Sequence, residues 1–471
     1  MARAKVIAIL VGPEGVGVVG VIDQMVLVVM NLSALSLPLS TLALLSRSYG
    51  EGSATFKQTY LTFLAVLSAL TLAGTAGAVG LVAARSGLFG ESLLRYRPLL
   101  LLALLSVPAL SVSTYGASVL AAAQRARQSA VVVAAGATAL FLAAAVGVPL
   151  GGLEGLYGFS LVAGVLVAAA VFAHLRRELR LPLFERNASW VGELKRHPDL
   201  VFYCVSYFLV SFAYPLASLI ARHTVLDQYG EAEAGRLQAV IALTVGFSTV
   251  LRPVNTQLLL PMVSGPGDIG RKFRDTVAIQ RRLTVALALL AMPLVLFPRL
   301  LLAMLYSTAF TAASPYLHLF VVAEVILILG GTYQALVLGM DDRRAWAVPY
   351  LLGYACLGVL SWRLGRTHGI PGVAVAALTS SLLIFGLALW RVRSRHGFRL
   401  PRRLLGLMIA ALSAIFVVGM ACARYDDGSV EALLTKVAAM LLVALSLIRC
   451  LDKEDRTWVY GLLPRFQPRT P

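Results

Sequence analysis

The chain has 471 residues, of which 59% are hydrophobic and 14% charged, with a formal net charge of +18 and a mean hydropathy of +0.81. A soluble protein of this length would divide into two or three domains with about 25% charged residues. That class is excluded, and a polytopic helical membrane protein remains.

Apolar runs of about 20 to 28 residues cross a bilayer at 1.5 Å rise per residue. They fall at 16–45, 58–84, 98–123, 129–151, 153–175, 198–221, 235–262, 278–305, 315–340, 345–365, 368–392, 403–423 and 430–449. Ahead of the first stands "LVGPEGVGVVGVID", a Gly/Pro/acidic turn entering a helix that carries Asp23. No cleavable leader pattern is recognisable there. Gly and Pro recur inside the spans, which neighbouring helices tolerate by satisfying the freed backbone groups.

Loops after alternate spans, among them "QRARQ", "RKFRDTVAIQRR" and "RVRSRHGFRLPRR", hold most of the 41 Lys and Arg residues. The positive-inside rule places these loops, and the tail from Arg449, in the cytoplasm. This distribution accounts for the net charge without nucleic acid, and anionic lipids are the expected neighbours.

The chain also repeats itself at an offset of about 217 residues, a fold-level signal. Pro98 aligns with Pro315, Gln124 with Asp341, Gly152 with Gly369 and Gly17 with Gly235. The offset predicts an all-α polytopic fold of two pseudo-symmetric six-helix bundles followed by a transmembrane hairpin. Expected boundaries are an N-terminal bundle at 1–177, a cytoplasmic linker at 178–197, a C-terminal bundle at 198–395, and the hairpin with its tail at 396–471. The counterpart of the 198–221 helix would begin ahead of Met1, so the first helix is expected to be incomplete. A misplaced start, trimming, or a protein that works with a broken first helix would each account for that. Both halves begin on the same side, so the pseudo-symmetry axis lies along the membrane normal, as in transporters built from parallel repeats.

A short helix, "LVGPEGVGVVG", a second helix ending "LSLPLSTLALLSR", a fourth ending "VLAAAQRARQ" and a sixth opening "GLEGLYG" resemble the polysaccharide biosynthesis (Wzx-type oligosaccharide flippase) family. That family belongs to the multidrug/oligosaccharidyl-lipid/polysaccharide exporter superfamily, and the likeness covers roughly residues 8–395. It implies a carrier of undecaprenyl-diphosphate oligosaccharide that alternates access across the bacterial inner membrane, working beside polysaccharide polymerase machinery. The C-terminal hairpin matches the fourteen-helix count of the related lipid II flippases. The acidic and arginine-rich pattern around the second helix of those enzymes is not seen here.

No P-loop, GxSxG, HExxH or paired CxxC is present, and the six His residues lack ligand spacing. Neither a cofactor nor a metal is expected. The four Cys residues read as free thiols. Intramembrane charge is what remains. It costs at least ~2.5–3.5 kcal/mol at a helix centre, so it tends to face a cavity or a partner.

Arg252, followed by Pro253, Asn255 and Thr256, suits a diphosphate, which a guanidinium can grip with two parallel hydrogen bonds; a packing pair with a carboxylate is the alternative. Asp23, beside Gln24 and two turns before Asn31, could bind a sugar hydroxyl, pair with Arg252, or take a coupling proton or Na⁺. Glu324 reads as a lone carboxylate that relays a proton or packs neutral. Arg299, next to Pro298, reads as a snorkelling terminus. Tyr203, Tyr207 and Tyr214 form one helical stripe suited to pyranose rings or to bundle core. Gln124 and Asp341 end equivalent helices as a cytoplasmic gate or as plain caps. Two other functions compete with the flippase: a multidrug or organic-cation antiporter using Asp23 and Glu324, and a membrane enzyme, which the short outer loops disfavour.

Overall fold

The computed structural model describes residues 2–84, 93–182, 199–264, 268–424 and 430–449. Among these, ten helices are long and apolar enough to cross a membrane. The chain is an all-α polytopic membrane protein.

Helix α1 (Ala2–Ala34) is two helices joined at Gly12, whose φ of 74° is left-handed. Glycine carries no Cβ penalty there, and Pro13 opens the next helix where its missing N–H costs nothing. The expected span at 16–45 therefore starts earlier, and it breaks at Leu35 and Ser36, both left-handed. It resumes as α2 (Leu37–Glu51) with Pro38 in the first turn. Next come α3 (Ser53–Ala83), α4 (Arg97–Leu105) and α5 (Val107–Ala122), the last two separated at Ser106 ahead of Pro108.

Helix α6 (Ala126–Leu179) holds two predicted spans, turned back on each other at Gly151 and Gly152. The two arms pack backbone to backbone, because a Cβ on Gly147 would meet the Gly155 carbonyl at 2.5 Å. Beyond lie α7 (Asp199–Tyr229) and α8 (Glu231–Ser248). A π-helical turn (Val254–Leu259) leads into α9 (Leu260–Ser264). The chain continues as α10 (Ile269–Leu296), α11 (Pro298–Leu305), a 3-10 segment (Thr308–Tyr316), α12 (Leu317–Gly339), α13 (Arg343–His368), α14 (Ile370–His396), α15 (Arg402–Arg424) and α16 (Val430–Arg449).

The internal repeat is written in the backbone. Left-handed residues fall in pairs 217 or 218 positions apart: Gly12 with Gly230, Gln124 with Asp341, Gly152 with Gly369, and Arg180 with Gly397. Gln124 and Asp341 thus occupy equivalent turns where the helix must stop, a conformation that short polar side chains tolerate better than branched ones.

Contacts group the chain into two compact units. The first holds residues up to Gln238 with Gly358–Gly369, and the second holds Ala239–Leu357 with those from Ile370 on. Most of the expected linker at 178–197 lies outside the described residues. The first unit packs around Tyr60, Phe63, Tyr115 and Leu175. Tyr60 and Tyr115 stack at 6.1 Å, and the Tyr115 hydroxyl donates to the Tyr60 carbonyl at 2.9 Å. The second unit packs around Leu259, Ile279, Tyr333, Leu336 and Phe398.

Candidate functional site

In the second unit, Pro253 has no N–H to offer the carbonyl one turn back, and α8 stops at Ser248. The π-helical turn follows, a feature that often marks functional positions. This break turns Arg252 toward α12, where Glu324 accepts from its guanidinium through Nε at 3.1 Å and through a second, shorter bond from Nη2. One turn on, Asn255 Nδ2 donates to the Ile328 carbonyl at 2.9 Å and its Oδ1 accepts from Thr332 at 3.2 Å. Gly331 makes room for Asn255, since a Cβ there would come within 2.7 Å of Nδ2. Two parallel rungs, Arg252 to Glu324 and Asn255 to Ile328, therefore tie the broken helix to α12.

Beside these rungs is a cavity of about 160 Å³, lined among others by Arg252, Thr256, Gln334, Trp346, Tyr350 and Tyr354. The aromatic residues climb α13 at intervals of four: Trp346 meets Tyr350 edge-on at 6.0 Å, and Tyr350 stacks on Tyr354 at 5.7 Å. Arg252 is 44% exposed while Glu324 is 11% exposed. Gln334 is only 1% exposed, yet neither its side-chain nitrogen nor its oxygen has a hydrogen-bond partner among the described residues. Such a group costs about 1–3 kcal/mol if nothing reaches it. The wall thus offers a guanidinium, an amide and aromatic faces together.

The first unit holds a second polar cluster. The chain doubles back at Gly12, so Arg3 grips Asp23 with two bonds, Nη1 to Oδ2 at 2.6 Å and Nη2 to Oδ1 at 3.3 Å. The Tyr157 hydroxyl donates to Asp23 Oδ1 at 3.2 Å, and Gln24 donates to the Pro215 carbonyl at 3.0 Å. Arg222, 6% exposed, donates from Nε to Gln238 at 2.6 Å and from Nη1 to the Ser218 carbonyl and hydroxyl.

The predicted residues sort accordingly. Arg252, Asn255 and Glu324 come together. Glu324, expected as a lone carboxylate, is ion-paired, because the break at Pro253 delivers Arg252 to it. Asp23 is held by Arg3. Asn31 turns back on its own helix and donates to the Leu27 carbonyl at 2.8 Å. Tyr207 and Tyr214 are half-buried on α7, and the Tyr203 side chain lies outside the described residues. Arg299 is exposed at the start of α11. Among the described residues neither Cys356 nor Cys422 forms a disulfide, while the side chains of Cys204 and Cys450 lie outside the described residues.

Arg3, Tyr157, Arg222, Gln334 and the Trp346–Tyr350–Tyr354 ladder escaped the sequence reading. Arg222 lies one residue beyond the expected span at 198–221, where a charge draws no attention. The ladder did carry a signal, aromatic residues at i, i+4 and i+8 in "WAVPYLLGY".

No family model matches the chain, and no curated protein matches it. Solved structures do. An inward-facing multidrug resistance MATE family transporter of the MOP superfamily superposes with a TM-score of 0.64 at 14% identity, over 85% of this chain and 95% of that one. The chain shares the fold of MOP-superfamily transporters. Lipid II flippase MurJ, in an inward closed conformation, matches with a TM-score of 0.59 at 14% identity, over 92% of this chain and 96% of that one. A MOP superfamily transporter from Pyrococcus furiosus, described as having a binding pocket of reverse polarity, matches at 0.57 and 12% identity, over 83% of this chain and 91% of that one. At these identities the likeness is one of fold.

Proposed function

We propose that this chain moves undecaprenyl-diphosphate oligosaccharide from the cytoplasmic to the outer leaflet of a bacterial inner membrane by alternating access, as a transporter and not an enzyme. The observation that carries the reading is Arg252, half-exposed on a cavity wall and held there by Glu324. A diphosphate oxygen competes well for a guanidinium already oriented by a carboxylate, because the planar fork is preorganised. Its arrival would release Glu324 to take a proton or Na⁺, coupling substrate to ion. Gln334 and the Trp346–Tyr350–Tyr354 faces suit sugar hydroxyls and rings. Asp23, held between Arg3 and Tyr157, is the second candidate for ion coupling, and Gln124 and Asp341 sit at turns from which they could gate the cytoplasmic mouth. The polyprenyl tail would stay among membrane lipids.

A second reading, an organic-cation antiporter, draws support from the same cavity, because aromatic faces beside a carboxylate also suit a cation. The two readings part in cells lacking the gene. The flippase reading expects undecaprenyl-diphosphate oligosaccharides to accumulate, shielded from an externally added glycan-modifying probe, and to clear when the chain is restored. Sensitivity to cationic dyes with no lipid build-up would replace it with the antiporter.

A further inference from the structure

A third polar site, separate from both clusters above, lies in the first unit at the end opposite the Gln124 turn. A cavity of about 440 Å³ opens where the Gly12 and Gly230 turns meet the start of α4, lined by Glu14, Arg95, Tyr96, Leu226, Tyr229 and Glu231 among others. Its size falls within the range of small-molecule pockets.

Its walls are organised. The Tyr229 hydroxyl donates to the Arg366 carbonyl at 3.1 Å. The ring is backed by Gly369, where a Cβ would lie 3.4 to 3.5 Å from three ring carbons. Held at its tip and along one side, Tyr229 remains 42% exposed. Glu231 takes the Tyr96 hydroxyl and has Arg95 Nη1 at 3.6 Å. The Arg95 guanidinium lies 5.9 Å from the Tyr96 ring centroid. Glu14 is exposed and makes no hydrogen bond or ion pair among the described residues. The Glu231 main chain is itself positioned by the close approach of Gly17, so the rim is built on a rigid helix crossing.

We propose that this cavity is a saccharide-binding site, with the Tyr229 face as a platform for a pyranose ring and Glu14, Arg95 and the Tyr96 hydroxyl as partners for its hydroxyls. Sugar hydroxyls donate and accept at once, and this wall mixes an open carboxylate acceptor, a guanidinium donor and a phenol. An organic cation would favour acceptors alone, yet here a guanidinium already leans on Glu231 and leaves one carboxylate open. The inference rests on the lipid-linked saccharide reading for its class of ligand. It adds a binding station for the head group at the membrane face away from the arginine-rich loops, where release would occur.

The test is saturation-transfer NMR on the full chain in lipid nanodiscs, using a panel of neutral, N-acetylated and uronate-containing disaccharides, with tetraphenylphosphonium as the cation probe. At least one disaccharide is expected to bind. Tyr229→Ala should weaken it about tenfold or more, Glu14→Gln about threefold, and Tyr229→Phe less than threefold, since the ring face survives. Absence of disaccharide binding, equal binding by wild type, Tyr229→Ala and Glu14→Gln, or displacement of the sugar by tetraphenylphosphonium would each overturn the site. The same preparations assayed for lipid-linked oligosaccharide flipping separate the two claims. Disaccharide binding without flipping leaves this site standing while the transport reading falls, and flipping with no disaccharide bound does the reverse.

Discussion

Gly17 and Gly235 meet backbone to backbone where α1 crosses α8. A Cβ on Gly17 would overlap the Glu231 carbonyl, and one on Gly235 would overlap the Pro13 carbonyl. Pro13 and Glu231 stand 218 positions apart, as do the two glycines, so the contact is reciprocal in the way a twofold axis requires.

Alanine at Gly17 or Gly235 must therefore push the two helices apart. The expected cost is about 1–3 kcal/mol, seen as a lower unfolding temperature in detergent. Gly158, which a Cβ would leave without contacts within 4 Å, is the control, and its alanine variant should be neutral or slightly more stable. Equal behaviour at all three sites would show that the crossing is not tightly packed.

The repeat was legible because it depends on turn residues, which are written locally. The thirteen expected spans compare with ten crossing helices among the described residues. Two spans share α6, 235–262 is broken at Pro253, and 430–449 holds only the short apolar stretch Leu434–Val443. Gly152 and Gly369 announced their turns, and so did Gly12 and Gly230. Arg252 and Glu324 could each be singled out as costly in a membrane, but not as a pair, since 72 residues separate them and only the break at Pro253 brings them together. Arg3 was hidden because the Gly12 turn, though legible, does not say which residue ahead of it is folded back onto Asp23. Gln334 lies in an apolar helix and draws attention only once both of its amide atoms are found buried and unpartnered.

The Arg3–Asp23 pair should behave as a unit. Removing one partner, as in Asp23→Asn or Arg3→Gln, strands a partly buried charge. Each single variant is expected to lose about 1–3 kcal/mol, and the double variant less than their sum, because the second change removes the stranded group. Thermal unfolding of the four proteins measures the coupling; additive losses would mean that the contact contributes nothing.

Gln334→Leu separates stability from function. Replacing a buried, unpartnered amide by an apolar group of similar size should leave the unfolding temperature unchanged or raise it, by up to about 1–3 kcal/mol equivalent. Transport should fall, because the cavity loses its amide. A variant that is less stable but still active would show that Gln334 serves packing.

Asp342 supplies a pH signature outside the spans. Burial opposes its ionisation, but hydrogen bonds from the Ala345 amide and Arg395 outweigh that and hold the carboxyl below its usual value of 3.8. Arg395 Nη1 lies 2.7 Å from Oδ2, and His396 Nε2 lies 3.9 Å from the same oxygen. A depressed carboxyl stabilises the folded state fully above its unfolded pKa and loses that contribution as pH falls through the folded value. In a His396→Gln background, the stability gap between Asp342 and Asp342→Asn should be flat above pH 3.8 and shrink below it. A gap that closes between pH 5 and 7 would contradict this.

The central claim is that Arg252 receives the diphosphate of a lipid-linked saccharide. It is tested most directly in proteoliposomes loaded with fluorescent undecaprenyl-diphosphate oligosaccharide, by the rate at which label reaches the opposite leaflet. Wild type should flip the lipid, Arg252→Ala should bring the rate to that of empty liposomes, and Arg252→Lys should recover part of it, keeping the charge without the planar fork. Wild-type flipping by Arg252→Ala would remove this arginine, and the cavity built around it, from the mechanism.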